Sequence, residues 1–158
     1  MRKAIIAVVG AGHADPELDR LASEVGRLIA ESGSILLSGG RGGVMESASR
    51  GCREAGGLAV GILPGTDQAE ANPYIDVPIA TGLGEMRNLL VVRASDALIA
   101  VGGGYGTLSE IALAHKTGKP VIGLSTWEFS EKTLAARDPA DAVGKALGAL
   151  KAPGRGKG

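Results

Sequence analysis

Ala97-Leu98-Ile99-Ala100-Val101-Gly102-Gly103-Gly104-Tyr105-Gly106-Thr107-Leu108-Ser109-Glu110 runs from an apolar stretch through a glycine turn into a helix start. Five apolar residues in a row suit a strand covered on both faces. The glycines leave backbone N–H groups bare at a helix N-terminus, where the aligned peptide dipoles favour an anion. A second junction of this kind joins Ile35-Leu36-Leu37 to Ser38-Gly39-Gly40-Arg41-Gly42-Gly43, and a third joins Ala4–Val9 to Gly10-Ala11-Gly12. In open parallel sheets ligands sit beyond the carboxyl ends of the strands. All three glycine clusters are therefore expected along one sheet edge, holding a nucleotide or another phosphate-bearing ligand.

Working outward, strands and helices alternate. Asp15-Pro16 is an N-cap with proline at the first helical position. Leu18, Leu21, Val25, Leu28 and Ile29 then form a helical stripe that stops near Gly33. Val44 to Ala55 reads as a helix ended by Gly56-Gly57, and Leu58 to Leu63 as a strand broken by Pro64-Gly65. Residues 66 to 73 are polar and read as a loop, followed by a short strand over Tyr74 to Ile79. Glu85 to Ala94 and Leu108 to Lys116 are predicted helices, and Val121 to Leu124 the last strand. Asp138-Pro139 opens a final helix to about Leu150. The pattern predicts an α/β fold over residues 1–150, a single-domain, Rossmann-like, doubly wound parallel sheet with helices on both faces. The basic, glycine-rich tail 151–158 is expected to be disordered.

Composition narrows the function classes. The 158 residues suit one domain with a substantial core. Lys+Arg and Asp+Glu are equal at 17 each, so no global field recruits nucleic acid. Aromatics make up only 3%, which argues against stacking platforms for single strands. No specificity-setting aromatic or polar cluster stands out, so base identity is not legible. Cys52 is the single cysteine, which excludes an intrachain disulfide, and it reads as a small core residue. No cysteine cluster binds metal. The first residues enter a strand pattern at once without a signal peptide, and the apolar runs fall short of the about 20 residues a membrane helix needs. A cytoplasmic protein with no membrane partner is expected.

The candidate site residues follow from these turns. Gly103, Gly104, Gly106 and Thr107 are expected to hold phosphate, with Gly106 serving both access and conformation. Gly39, Gly40 and Gly43 form a second wall, and Gly10 and Gly12 a third. Gly-x-Gly-x-x-Gly, the dinucleotide fingerprint, fails at Asp15. Arg41 meets either a phosphate or solvent, and Met45 packs in the core or faces a ring. Thr107-x-x-Glu110 has the form of a capping box, in which Glu110 would bond only to backbone N–H. Arg87 stands at a helix N-terminus, an unfavourable place for a cation, which invites an anionic partner such as a ligand or Glu110. Arg93 is read as solvent-facing or paired with Asp96. His13 and His115 read as incidental.

Taken together, these stretches resemble the Lonely Guy family, often labelled "lysine decarboxylase-like". Its Pro-Gly-Gly-x-Gly-Thr-x-x-Glu hallmark matches Gly102 to Glu110 with Gly102 in place of Pro. Its Gly-Gly-Gly-x-x-Gly-Leu-Met-Gly matches Ser38 to Glu46, departing at both ends. The family's Arg-Lys pair falls on Arg87 and Asn88, fifteen positions ahead of Gly102, with Asn88 replacing the Lys. The resemblance spans about residues 4 to 125. It implies a nucleoside 5′-monophosphate phosphoribohydrolase, with Glu110 and Arg87 as the catalytic pair, no cofactor, and a homodimer with the pocket near the interface. The run Leu89-Leu90-Val91-Val92 fits that assembly, since one helix face is too narrow to bury four apolar neighbours. The departures at Ser38, Asn88 and Gly102 point to a related branch of molybdenum-cofactor carriers. On that alternative the chain binds a nucleotide-like ligand without catalysis. No lysine stands in a pyridoxal-phosphate site.

Overall fold

In the computed structural model, which describes residues 2–151, strands and helices alternate except where β4 follows β3 and β7 follows β6 without an intervening α-helix. The order is β1 (Ile5–Gly10), α1 (Pro16–Glu31), β2 (Ile35–Ser38), α2 (Val44–Glu54), β3 (Ala59–Leu63), β4 (Val77–Ala80), α3 (Arg87–Ala94), β5 (Ala97–Val101), α4 (Tyr105–Lys116), β6 (Val121–Leu124), β7 (Thr133–Ala135) and α5 (Pro139–Lys151). Short 3-10 turns at Gln68–Glu70 and Gly84–Met86 interrupt the loops around β4. The seven strands form one sheet in the order β4-β3-β2-β1-β5-β6-β7, and every neighbouring pair is parallel. The expected doubly wound α/β architecture is therefore present.

Each face of the sheet has its own core. Ile6, Val8, Leu36, Ile99 and Ile122 pack on one side against α1, α2 and α5, through Val25, Ile29, Val44, Cys52 and Val143 among others. Ala7, Val9, Leu37, Leu98 and Val121 pack on the other against Val91 and Val92 of α3 and Ile111 and Ala114 of α4. Alternate residues of β1 and β5 thus feed opposite cores, as strand geometry requires. Cys52 is buried in the first core, and burial pushes its thiol up to about 11, so it packs rather than reacts. Asp15 caps α1 as expected, accepting from Leu18 N–H at 2.8 Å, and Asp138 accepts from Asp141 N–H at 2.8 Å in the first turn of α5.

Three expectations change. β6 is not the last strand: β7, three residues long and largely exposed, pairs with it at the sheet edge. Thr133-Leu134-Ala135 carries no apolar run, so periodicity gives no signal. The short strand near Tyr74 starts only at Val77. Helix α4 begins at Tyr105, not Leu108, because Leu108 N–H already closes on Gly104 C=O at 3.0 Å. Asp96 pairs with Arg2, at 2.7 Å, and Arg93 is exposed, the solvent-facing one of its two expected placements. Lys151 ends α5, and the rest of the basic tail lies outside the described residues. No helix among the described residues is long and apolar enough to cross a membrane.

Candidate functional site

β1 sits between β2 and β5, so the chain reverses its direction of winding there. The crevice beyond the ends of β1 and β5 is where such sheets bind ligands. Residues 10–15, 38–43 and 102–106 all leave strands at this carboxyl edge, which brings the three glycine clusters together as expected.

The turn after β5 contains two kinds of glycine. Gly102 and Gly103 have φ of 58° and 113°, so their backbone conformation disfavours any side chain. A Cβ on Gly103 would also lie 2.3 Å from Thr107 Oγ1. Gly104 and Gly106 have no positive φ, and a Cβ on either would meet nothing within 4 Å. Gly106 is therefore not held as glycine by conformation; access alone remains of the two expected reasons. Beyond the bond from Leu108, the N–H groups of Tyr105, Gly106 and Thr107 have no intrahelical acceptor, because they open α4. The capping-box reading of Thr107 and Glu110 fails: Gly104 is the N-cap, no side chain caps it, and Thr107 lies inside the helix, buried against Gly103.

The turn after β2 is filled by the protein itself. The guanidinium of Arg87 lies over Gly39, where an added Cβ would be 2.6 Å from Nη2, and the Met45 sulfur lies beside it at 2.9 Å. Met45 is half-buried against this glycine rather than in either core cluster. Gly40 has φ 74° and faces Leu63, while Gly43 has φ 66° and abuts the backbone of Ala11 and Gly12. Gly10 is squeezed between Val101 C=O and Val44, and Gly12 is open and exposed. Asn72 locks the turn, donating from N–H to Gly40 C=O and from Nδ2 to Arg41 C=O, both at 2.9 Å. Arg41 pairs with Glu70 at 3.0 Å.

Arg87 and Glu110 come together as an electrostatic pair without touching. Glu110 is only 7% exposed, and among the described residues no hydrogen bond or ion pair reaches its carboxyl. Burial pushes its pKa up to about 7, against the opposing pull of Arg87. Burial likewise holds the Arg87 guanidinium below its ordinary range, with Glu110 raising it and Arg41 lowering it further. Arg87 donates from Nη1 to the Asn88 side chain, and its Nε is buried without a partner. A buried carboxyl without a hydrogen bond thus stands beside a half-buried cation with an unused donor, an arrangement with the capacity to receive a third group. No cluster of His, Cys, Asp or Glu among the described residues is arranged to hold a metal.

Two contributors escaped the sequence reading. Thr126 Oγ1 donates to Gly102 C=O at 2.6 Å, and Trp127 Nε1 donates to Gly104 C=O at 3.1 Å. The β6–β7 loop is thereby tied to the glycine turn. Ser125, the first residue of that loop, has φ 54°, the sole positive value at a non-glycine among the described residues. His115 is half-buried and bonds Thr133 at 2.7 Å, away from the glycine edge, and His13 is exposed beside Gly12.

Residues 3–149 match the model of the SLOG cluster4 family. The chain belongs to that family. The molybdenum cofactor binding protein of Rippkaea orientalis superposes with a TM-score of 0.91 at 40% identity, covering 96% of this chain and 99% of that one. The molybdenum cofactor carrier protein of Chlamydomonas reinhardtii gives a TM-score of 0.86 at 40% identity, covering 94% and 98%. The cytokinin riboside 5′-monophosphate phosphoribohydrolase of Mycobacterium tuberculosis is 32% identical over 120 residues, 70% of this chain and 64% of that relative's length. The resemblance read from the glycine motifs, to Lonely Guy proteins close to a molybdenum-cofactor-carrier branch, thus holds.

Proposed function

We propose that the chain binds a nucleoside 5′-monophosphate at the β1–β5 edge and hydrolyses its N-glycosidic bond. The observation that carries this reading is Glu110, buried and unpartnered, facing Arg87 beside the open first turn of α4. The phosphate lies against the N–H groups of Gly104 to Thr107, and the walls are Gly10, Gly12, Gly39, Gly40, Gly43 and Met45. The C1′–N bond breaks with its electron pair leaving on the base. Water oxygen bonds to C1′, and the proton it loses ends on the base. Positive charge develops on the sugar ring as the bond lengthens, and an ionised Glu110 stabilises it or orients the water. Arg87 positions Glu110 and contacts the phosphate.

A second reading is a non-catalytic carrier of the molybdenum cofactor. It is favoured by 40% identity across nearly the whole length of two such proteins. Asn88 in place of Lys also removes one anion contact. Incubation with a panel of nucleoside monophosphates, assayed for free base and ribose 5-phosphate, separates the two. Hydrolysis is expected, with Glu110→Gln slower by about 10²-fold or more and Arg87→Ala both slower and weaker in binding. The rate at low substrate should rise with pH through about 7 as Glu110 ionises. Equal turnover by Glu110→Gln excludes the catalytic role. Tight binding without release of base establishes the carrier.

The same reading has the chain act as a homodimer. Val91 and Val92 enter the core, so two of the four apolar neighbours in α3 are accounted for within the subunit. Leu90 and Met86 remain exposed on α3 and the turn before it, beside Leu83. Light scattering at micromolar concentration is expected to give twice the chain mass; a monomer mass rejects the assembly.

A further inference from the structure

The chain has four aromatic residues of the Phe, Trp and Tyr types, and none belongs to the fully buried core. Two of them, Tyr105 and Trp127, lie at the carboxyl edge of the sheet on α4 and the β6–β7 loop. Tyr105 is 83% exposed although it stands in the first turn of α4, between Gly104 and Gly106. An aromatic ring left in water forgoes burial that a core position would supply. Its position is nonetheless controlled. Trp127 stacks on Tyr105 with centroids 6.0 Å apart and planes 28° apart, and Trp127 is itself pinned by its bond to Gly104 C=O. Tyr105 also lines a cavity of about 730 Å³ with Met86, Arg87, Asn88, Leu89 and Leu113. One aromatic residue therefore stands in the open first turn of α4 and lines the cavity that Arg87 also lines.

We infer that Tyr105, buttressed by Trp127, is the platform on which the flat heterocycle of the ligand stacks, so that the site favours ligands that carry such a ring over those that carry none. The inference rests on the anion site proposed above and adds what lies beyond the phosphate. The ligand class is a fused-ring heterocycle carrying a phosphate. A purine mononucleotide and a phosphorylated pterin share that chemistry. Glu85, Asn88 and Ser109 join Arg87 as polar side chains on the same cavity wall, and Met86, Leu89 and Leu113 are among its apolar ones. A ring on a π-face tolerates several bases, which fits a platform better than an edge-reading pocket.

Trp127 is the sole tryptophan, so its emission reports on contact at this site. The parent, Tyr105→Ala and Tyr105→Phe are titrated with adenosine 5′-monophosphate, neopterin and ribose 5-phosphate, with affinity also read by calorimetry. Adenosine 5′-monophosphate is expected to change Trp127 emission, and Tyr105→Ala to weaken its binding about tenfold. Tyr105→Phe should keep the parent affinity, and ribose 5-phosphate should bind all three proteins alike. Preference for neopterin over the nucleotide, lost in Tyr105→Ala, supports the platform with a pterin as its ring. Equal binding of both ring ligands by parent and Tyr105→Ala overturns the inference. So does an equal loss of ribose 5-phosphate, which would make Tyr105 a support of the turn. If the parent binds neopterin through Tyr105 but neither phosphate compound, the platform stands and the anion site falls. If it binds none of the three, both fall.

Discussion

The two glycine turns at the ligand edge look alike as sequence and differ as structure. The turn at residues 38–43 is occupied from within: Arg87 lies on Gly39, Leu63 on Gly40, and the 11–12 backbone on Gly43. Asn72 and the Arg41–Glu70 pair fasten it from outside. The turn at residues 102–106 spends two glycines on left-handed backbone and leaves two facing open space. Glycine density alone does not distinguish a turn that must close on its own chain from one that leaves room for a ligand. What distinguishes them is the neighbour a Cβ would meet.

That contrast fails most visibly if a self-filled glycine tolerates a side chain. Gly43 has φ 66° and ψ −133°, a region nearly restricted to glycine, and its Cβ would sit 2.2 Å from Ala11 C=O. Because Ala11 C=O also accepts from Val44 N–H at 2.9 Å, it cannot retreat without opening the start of α2. Gly43→Ala is expected to destabilise by at least about 3 kcal/mol, read as a lower urea midpoint at unchanged slope. A loss below about 1 kcal/mol would mean the two turns differ less than their contacts imply.

A second prediction sharpens the open side, where Glu110 is stabilised by no partner of its own. Its folded-state pKa is raised from 4.5 to about 7, so the folded chain holds a proton that the unfolded chain releases first. The associated stability is fully present below the unfolded value and is lost as pH rises through about 7. The ligand-free parent should therefore lose roughly 3 kcal/mol between pH 4 and pH 8 from this group. Glu110→Gln, which does not ionise, should match the parent near pH 4 and exceed it in melting temperature at pH 8. A variant less stable than the parent at pH 8 would show that the carboxylate is held by structure rather than kept for a ligand.

Much of this was legible from residues alone, and the exceptions share a cause. Central strands such as Ala97–Val101 are continuous apolar runs because helices cover both faces, and Asp15-Pro16 announces α1 by local chemistry. The proximity of Arg87 to Glu110 was legible because a cation at a helix N-terminus is out of place locally and invites an anionic partner. The capping box misled for the same local reason: Thr107-x-x-Glu110 has the right spacing, but glycines at 104 and 106 hide a helix that begins three residues earlier. Tyr105 and Trp127 stand 22 positions apart on separate elements. Only the pairing of β5 with β6 brings them into contact, so no window of sequence contains the cluster.

The smallest predicted effect on stability separates the two turns by sign. Gly106 occupies the first turn of α4 with ordinary backbone, and its Cβ would meet nothing within 4 Å. Alanine costs a helix less conformational entropy than glycine, so Gly106→Ala should stabilise the ligand-free chain by up to about 1 kcal/mol. The same methyl projects beside the bare N–H groups of Tyr105, Gly106 and Thr107. An anion kept from one of those donors loses a charge-assisted hydrogen bond, so affinity for ribose 5-phosphate should fall about tenfold. At residues 38–43 the same kind of substitution should instead unfold the turn before it reaches any ligand. Thermal unfolding and calorimetric titration on one preparation read both signs. Raised stability with weakened binding places a ligand in the open space. Raised stability with unchanged binding leaves the space empty and the glycine at 106 without a physical reason.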